Sequence, residues 1–427
     1  MEKNCLTVIE TAEKIGVSAD TIRRWEKMGL IKSTRSIHNY RLFNPEEVER
    51  IKQRQDGVYS PVKFKILKTN QKTKYTTIEL FTGAGGTALG LENAGLMNKL
   101  MVEIDKHAVD TLRTNKPEWN VIHDDIKNIS FVGKNADIVE GGFPCQSFSY
   151  AGRKLGFEDR TRGTLFFEFA RCVRETMPKI AVGENVRGLL RHDNGKTLQT
   201  MVEAMQEIGY KVAYKVVRAQ YLDVPQKRER LIIMCVRNDL AIPILFPKER
   251  DYIIPLRDAL VDVPVSEGQK YPEKKKRVLE LVKPGGYWRD LPLEMQKEYM
   301  GGSFYMGGGK TGMARRLSWE EPSLTLTCSP AQKQTERCHP EETRPLTYRE
   351  YARIQSFPDE WKFSGSLSAK YKQIGNAVPV NLGYHLGRCL IAMLENKPDF
   401  NTMVEVSPIS QLNLIEVANT FSANCES

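Results

Sequence analysis

The stretch 142–149, GFPCQSFS, contains the residue best suited to covalent chemistry, because a cysteine thiolate is a strong nucleophile. The apolar run ADIV at 136–139 predicts a short buried strand, and the glycines and proline that follow turn the chain out of the sheet. Cys145 therefore falls on a loop at the carboxyl end of a strand, where open α/β sheets bind their ligands. A lone cysteine is more often a small buried hydrophobic residue, so this assignment depends on the motifs that accompany it.

A second stretch, TTIELFTGAGG at 76–86, has the pattern of a ligand-binding turn between a strand and a helix. Gly83, Gly85 and Ala88 match the loose G-x-G-x-x-G/A pattern, and the acidic Glu103 follows about 20 residues later, where it could bind a ribose. Asp125, at the end of a further strand, is either an adenine contact or a simple turn residue. A dinucleotide and S-adenosylmethionine fit this pattern equally well.

Five further motifs follow in order. Taken singly, each has a structural explanation, such as a helix cap for Glu184, a surface face for Arg228 and Arg230, and a turn for the Gly-Asn pair at 375–376. Along the chain they are GTLFF at 163–167, ENV at 184–186, PQKRER at 225–230, REYARIQSFP at 349–358 and QIGNAVPV at 373–380.

In this order, and with Pro-Cys-Gln at 144–146, the motifs resemble those of the cytosine-5 DNA methyltransferase family over residues 76–245 and 346–390. The resemblance implies an α/β fold, with a Rossmann-like S-adenosylmethionine-dependent methyltransferase sheet and a smaller target-recognition domain. It also implies that Cys145 adds to carbon 6 of a cytosine that is flipped out of the duplex. Glu184 would supply a proton to ring nitrogen 3, and Arg228 and Arg230 would provide the positive surroundings that favour the thiolate.

The same resemblance implies a set of S-adenosylmethionine contacts. Phe81, Gly83 and Gly85 would form the methionine loop, Glu103 would bind the ribose, and Asp125 with Ile126 would bind the adenine. The remaining residues implied to line the pocket are Leu165, Asn376 and Val378.

The N-terminal residues predict two helices joined by a tight turn. Thr7 can cap the first helix and Gly16 can end it, and the second, at 21–28, presents Arg23 and Arg24 for contacts with DNA. The segment 17–30 resembles the winged helix-turn-helix of MerR-type regulators, with NYRLF at 39–43 as the wing. The alternative is a small helical cap that packs on the catalytic domain.

A glycine-rich region follows the catalytic motifs and falls where the family has its target-recognition domain. Lys310, Arg315 and Arg316 have the side-chain types that contact base edges, and Gln146 and Ser147 are further expected DNA contacts. The alternative is a loop region with surface charge. The expected domains are a helix-turn-helix at 1–56, a basic linker at 57–75, a catalytic and cofactor-binding domain at 76–245, a target-recognition domain at 246–345, a return to the catalytic domain at 346–395 and a tail at 396–427.

Composition limits the class of protein. The 427 residues carry a net charge of +10, and residues 1–74 hold 16 basic against 9 acidic residues, which suggests a polyanionic partner. No run is apolar enough for a membrane helix or a signal peptide, so we expect a cytoplasmic protein. Its 8 cysteines include no CxxC pair, and because Cys328, Cys338 and His339 lack a second close-spaced pair, we expect no metal.

The sequence thus predicts a site-specific DNA cytosine-5 methyltransferase that uses S-adenosylmethionine, the modification half of a restriction-modification pair. The expected partner is double-stranded DNA, with a monomer as the enzyme and a dimer if the helix-turn-helix binds an operator. Three alternatives stay open: an RNA cytosine-5 methyltransferase, a dinucleotide oxidoreductase, and a transcription regulator that acts through the N-terminal domain.

Overall fold

The computed structural model describes residues 5–28, 31–36, 39–55, 63–144, 165–307 and 310–409. The helices of these residues are α1 Val8–Ile15, α2 Ala19–Met28, α3 Pro45–Gln55, α4 Gly86–Ala94, α5 Lys106–Asn115, α6 Leu165–Thr176, α7 Lys196–Glu207, α8 Leu256–Ala259, α9 Glu273–Glu280, α10 Leu293–Met300, α11 Tyr348–Ile354, α12 Leu367–Asn376 and α13 Val380–Glu395. The strands are β1 Leu6–Thr7, β2 Ser33–Arg35, β3 Arg41–Phe43, β4 Thr76–Leu80, β5 Met97–Glu103, β6 Val121–His123, β7 Ile138–Gly141, β8 Ile180–Val186, β9 Tyr210–Arg218, β10 Gln226–Lys227, β11 Glu229–Arg237, β12 Leu245–Pro247, β13 Ser323–Leu324 and β14 Met403–Glu405.

A seven-stranded sheet in the order β6-β5-β4-β7-β8-β11-β9 forms the centre of the catalytic region. The first five strands of this order are parallel, and β11 is antiparallel to both β8 and β9. From β4 the chain builds outward through β5 to β6 and then crosses to β7 on the other side of β4. The strand order therefore reverses between β4 and β7, and an α/β sheet binds its ligands at the carboxyl ends of such strands.

Helices α4 and α13 pack closely because glycines face each other where they cross. A Cβ built on Gly90 would lie 2.4 Å from the Val380 carbonyl oxygen and 2.7 Å from Gly383 Cα. Only glycine permits this approach of two backbones. The contact joins the first helix of the sheet to the last long helix of the chain.

The N-terminal residues form the predicted helix-turn-helix with a small wing. Thr7 and Glu10 make a reciprocal capping box at the start of α1, and Gly16 ends that helix in the left-handed conformation, as the sequence predicted. Strand β3 pairs with both β1 and β2. Buried Ile22 and Phe43 join the helices to this small sheet.

Part of the region expected to recognise the target has a hydrophobic cluster of its own, which includes Leu279, Trp288 and Met300. The boundaries of the predicted domains stay predictions. Across the described ranges, no helix is both long enough and apolar enough to cross a membrane.

Candidate active site and cofactor cleft

The described part of the nucleophile loop ends one residue before the predicted nucleophile. Cys145, Gln146 and Ser147 lie outside the described residues. Phe143 is buried beside the ring of Phe166, 5.3 Å away between centroids, and its carbonyl accepts a hydrogen bond of 2.9 Å from the buried Asn185 side chain. The Asn side chain of the ENV motif thus ties β8 to the start of this loop, a contact that the sequence analysis missed.

Glu184 and Arg230 meet beside the same loop. The Arg230 Nε lies 2.6 Å from Glu184 Oε1, and each side chain is only 12–13% exposed. The strands bring them together because Val186 of β8 is the register partner of Arg230 on β11. The other Glu184 oxygen, Oε2, would be 3.3 Å from a Cβ on Gly142, so a larger residue there would crowd the carboxylate.

Arg228 occupies a different place from Arg230. Its fully buried guanidinium donates to the carbonyl oxygens of Gly375 and Asn376, at 3.2 and 3.4 Å, and its Nε has no partner among the described residues. Burial, with a smaller effect of the neighbouring Arg230, lowers the pKa of Arg228 to about 9. This arginine therefore supports the QIGN motif, while Arg230 contacts Glu184.

The predicted methionine loop has the backbone conformation of a tight ligand-binding turn. Phe81, Gly83 and Gly85 have φ values of 58°, 57° and 87°. The amide of Gly83 donates to Glu103 Oε2 at 2.6 Å, while Oε1 accepts the amides of residues 104 and 105. Buried Glu103 thus fixes the loop to the end of β5. Among the described residues, no atom beyond its chain neighbours lies within 4 Å of a Cβ built on Gly83, so these residues leave space for a ligand on that side of the turn.

The last predicted motif, QIGNAVPV, lies beside the glycine turn, at the start of α4. A Cβ on Gly86 would lie 2.0 Å from the Val378 carbonyl oxygen, so the QIGNAVPV segment packs directly on the first turn of α4. Asn376 Oδ1 accepts a hydrogen bond of 3.1 Å from the exposed Cys328 thiol. Segments almost 300 residues apart in sequence therefore meet beside the glycine turn.

The predicted adenine contacts lie at the end of β6. Asp125 caps the short 3₁₀ helix Ile126–Asn128, and the buried Ile126 packs in the same hydrophobic cluster as Phe81 and Leu165. Ile104 follows Glu103 and is 64% exposed at this edge of the sheet. An exposed apolar side chain there suits the face of a flat ring, and the sequence analysis overlooked it.

Two buried carboxyl groups lie beneath the site. Glu79 of β4 is the register partner of Glu140 of β7, and both are almost completely inaccessible to solvent. Neither carboxyl oxygen of Glu79 has a hydrogen-bond partner among the described residues. Burial and the charge of Glu92 raise the pKa of Glu79 to about 8, and burial, Glu79 and Glu184 raise that of Glu140 well above its ordinary range. No sequence motif indicated a role for either position.

The predicted DNA contacts differ in accessibility. Arg23 and Arg24 are exposed on α2, and Arg23 pairs with Asp20 at 2.6 Å. Lys310 is tied to its own loop through a hydrogen bond of 2.7 Å to the carbonyl oxygen of Met306.

Arg316 is buried, and its guanidinium donates to four backbone carbonyls and the Thr343 hydroxyl. Base contact by Arg316 would break these five hydrogen bonds, so its position does not support the predicted role. Arg315 is also buried, with its guanidinium 5.9 Å from the centre of the Tyr287 ring.

No group of three metal-ligating side chains converges anywhere in the described part of the chain. Buried Cys338 and His339 lie in the region expected to recognise the target, and the imidazole Nδ1 of His339 faces the backbone amides of residues 341 and 342.

Comparisons with known proteins identify the family of the chain. A family model described as C-5 cytosine-specific DNA methylase matches residues 75–392, and one described as MerR family regulatory protein matches residues 7–43. The chain is 56% identical to the Type II methyltransferase M.Eco47II of Escherichia coli, over 92% of this chain and 97% of that protein. It is 50% identical to M.PspPI of Psychrobacter sp. (strain TA137), over 91% and 96%. The S. pombe Dnmt2 methyltransferase has a similar fold, with a TM-score of 0.53 at 15% identity over 76% of this chain and 99% of that one.

Proposed function

The chain belongs to the C-5 cytosine-specific DNA methylase family and is a DNA cytosine-5 methyltransferase, and we propose that it acts through a covalent adduct between Cys145 and a flipped cytosine. The observation that supports this mechanism most directly is the Glu184–Arg230 pair beside Gly142. This pair stands at the root of the Cys145 loop, and β7 alone separates its strand β8 from β4 and the glycine turn. Nucleophile loop, acid and cofactor cleft therefore share one edge of the sheet.

The proposed first step activates a carbon that is otherwise too weak a nucleophile. The Cys145 thiolate forms a bond to carbon 6 of cytosine, and the electron pair of the 5,6 double bond moves towards carbon 5 and ring nitrogen 3. Glu184 enters this step as the protonated acid, delivers its proton to nitrogen 3 and is left as a carboxylate, which the adjacent Arg230 guanidinium neutralises. A cytosine stacked in a duplex exposes neither face to the thiolate, so the base must first leave the helix.

The final step restores the aromatic ring. Water removes the proton from carbon 5, the 5,6 double bond re-forms, and the carbon–sulfur bond breaks to release the Cys145 thiolate. The proton on nitrogen 3 returns to Glu184. No described side chain of the motifs is an evident base for carbon 5.

The open turn at Gly83 and the fixed acid at Glu103 fit S-adenosylmethionine, the methyl donor of this family. When bound there, the cofactor supplies a methyl group carried on a sulfonium. We propose that Phe81, Gly83 and Gly85 hold its methionine part, Glu103 its ribose, and Asp125 and Ile126 its adenine, with Leu165, Asn376 and Val378 completing the pocket.

A trapping experiment tests the covalent step. A duplex that carries 5-fluorocytosine at the target has no proton to lose from carbon 5, so the adduct should persist with wild-type protein. Cys145→Ser should form none and should still bind the cofactor. Cys328→Ser is the matched control, because Cys328 is an exposed thiol beside the cleft and should be dispensable for trapping. Loss of the adduct only in Cys328→Ser would refute the assignment of Cys145.

We further propose that the enzyme is the modification partner of a restriction endonuclease, with residues 246–345 selecting the target. Bisulfite sequencing of DNA from cells that express the protein should show one methylated sequence motif. Methylation of RNA without methylation of DNA would contradict this proposal.

For the N-terminal domain, the exposed Arg23 and Arg24 on α2 support binding to DNA and regulation of the modification genes, with a dimer on the operator and a monomer as the enzyme. Double substitution of both arginines by alanine should abolish binding to the upstream DNA in a mobility-shift assay. Unchanged binding would refute this role for α2.

A further inference from the structure

One side chain of the helix-turn-helix is inserted into the catalytic domain. The Lys32 ammonium, between α2 and β2, lies 3.5 Å from the centre of the Tyr221 ring and donates a hydrogen bond to the Arg250 carbonyl. It also lies 3.8 Å from Glu249 Oε2. Tyr221 is only 2% exposed and the Lys32 side chain 23%, so the contact is largely shielded from solvent while one side of Lys32 stays accessible.

A second cation completes the contact. Arg218 stacks on the same Tyr221 ring at 4.9 Å and binds both oxygens of Glu249. Burial lowers the pKa of Lys32 to about 8, although the nearby Glu249 opposes the shift. This contact fixes the N-terminal helix-turn-helix, called the N-terminal module below, to the catalytic domain at the start of β2.

This anchor lies on the same edge of the sheet as the candidate active site. Strands β8 and β9 are both antiparallel to β11, so they run in the same direction and end together. The register places Val186, Arg230 and Val217 in one row across the three strands. Arg218 is the residue after Val217, so the Lys32 contact lies directly beyond this row. Glu184 lies two residues before Val186, on the other side of the row.

A groove of about 910 Å³ runs from the Lys32 contact to Arg187. Five basic side chains line it, Lys32, Arg187, Lys215, Arg218 and Lys248, against three acidic ones, Glu229, Glu249 and Glu405. Arg187 follows the ENV motif directly, pairs with Glu229 at 2.8 Å and remains 58% exposed. Basic side chains along an open groove are the usual contacts for a phosphate backbone.

We propose that the N-terminal module is a fixed extension of the enzyme's DNA-binding surface, and that duplex flanking the target follows this groove from Arg187 to the module while the cytosine is methylated. The occupant is double-stranded DNA, bound through its phosphates. The inference rests on the proposed DNA binding by the module, and it adds that this binding occurs in the same encounter as methylation.

The test compares two lengths of target duplex with the full-length protein. A short duplex of about 15 base pairs covers the catalytic cleft, and one of about 40 adds roughly 40 Å on each side at about 3.4 Å per base pair. Neither contains the upstream operator. For wild type we expect the long duplex to lower KM about tenfold and to steepen the dependence of log affinity on log salt by about 0.9 per added phosphate contact.

Lys32→Met should remove this advantage of the long duplex while leaving kcat on the short duplex unchanged. Lys14→Met is the matched control, because Lys14 belongs to the same module but pairs with Glu49 within it. It should keep the length dependence. Melting curves of both variants verify that the catalytic domain is folded.

Each alternative outcome is distinguishable. Equal KM and salt slopes for the two duplexes with wild type would overturn the inference, and intact methylation together with operator binding would leave the proposed function standing. Length dependence that survives Lys32→Met would also overturn it, because the anchor would then not position the module. Failure of the proposed operator role would appear separately, as absence of an Arg23- and Arg24-dependent shift of upstream DNA.

Discussion

The buried carboxyl group of Glu79 should make the stability of the catalytic domain depend on pH. Its pKa of about 8 exceeds its ordinary 4.5, so between these pH values the folded chain retains a proton that the unfolded chain has lost. A raised folded-state pKa stabilises the protein fully below pH 4.5, and this contribution disappears as the pH rises through 8. At about 1.4 kcal/mol per pH unit, the interval corresponds to at most about 5 kcal/mol.

Glu79→Gln removes the titration while keeping the shape of the protonated acid. We expect the variant to match wild type near pH 4.5 and to have the higher free energy of unfolding at pH 9, by several kcal/mol and at most about 5 kcal/mol. Urea unfolding at intervals between pH 4.5 and 9, followed by a probe in the catalytic domain, measures the difference. Glu118→Gln is the control, because that side chain is 65% exposed and should leave the wild-type pH dependence in place. If the free energy of unfolding changed with pH in the same way for wild type and Glu79→Gln, the raised pKa of Glu79 would not control the stability and the reasoning would be wrong.

Three further substitutions test separate parts of the site. Glu184→Gln should slow methylation by about 10²- to 10⁴-fold without changing cofactor affinity measured by calorimetry, and near-normal turnover would contradict its role as the acid. Gly86→Ala should weaken cofactor binding and lower the melting temperature, since its Cβ would overlap the Val378 carbonyl. Gly302→Ala is the control, because Gly302 has open space and no left-handed φ, and it should leave both quantities unchanged. Arg316→Met should lower the melting temperature, because five buried hydrogen bonds are lost, and should leave the methylated sequence unchanged in bisulfite sequencing. A changed target sequence would show that Arg316 does contact a base.

The sequence analysis was most accurate where the determining residues are close together along the chain. The Thr7 cap, the Gly16 stop and the glycine turn after β4 depend on a few neighbouring residues, and all three are confirmed. Cofactor and catalytic roles rested on motif order and stay proposals. Arg316 illustrates the limit, because its burial depends on carbonyls at 279, 282 and 339, and no local pattern shows which arginine a distant segment will enclose.

The same limit explains Lys32 and Glu79. Lys32 is an ordinary basic residue in the sequence, and its insertion against Tyr221 depends on a segment almost 200 positions later. Glu79 belongs to an apolar strand pattern in which an acid suggests an exposed position. Its burial follows from the pairing of β4 with β7, which local periodicity does not reveal.

The contact between Gly86 and Val378 has a consequence for the synthesis of the chain. The glycine turn is synthesised early, but the backbone that it contacts follows about 300 residues later. At about 5–20 residues per second, synthesis of that backbone is delayed by roughly 15–60 s. A nascent or prematurely terminated chain therefore carries the cysteine loop and the acid without a finished cofactor cleft. Methyl transfer would begin only after the last long helix has been made, so incomplete chains would leave no marks on DNA.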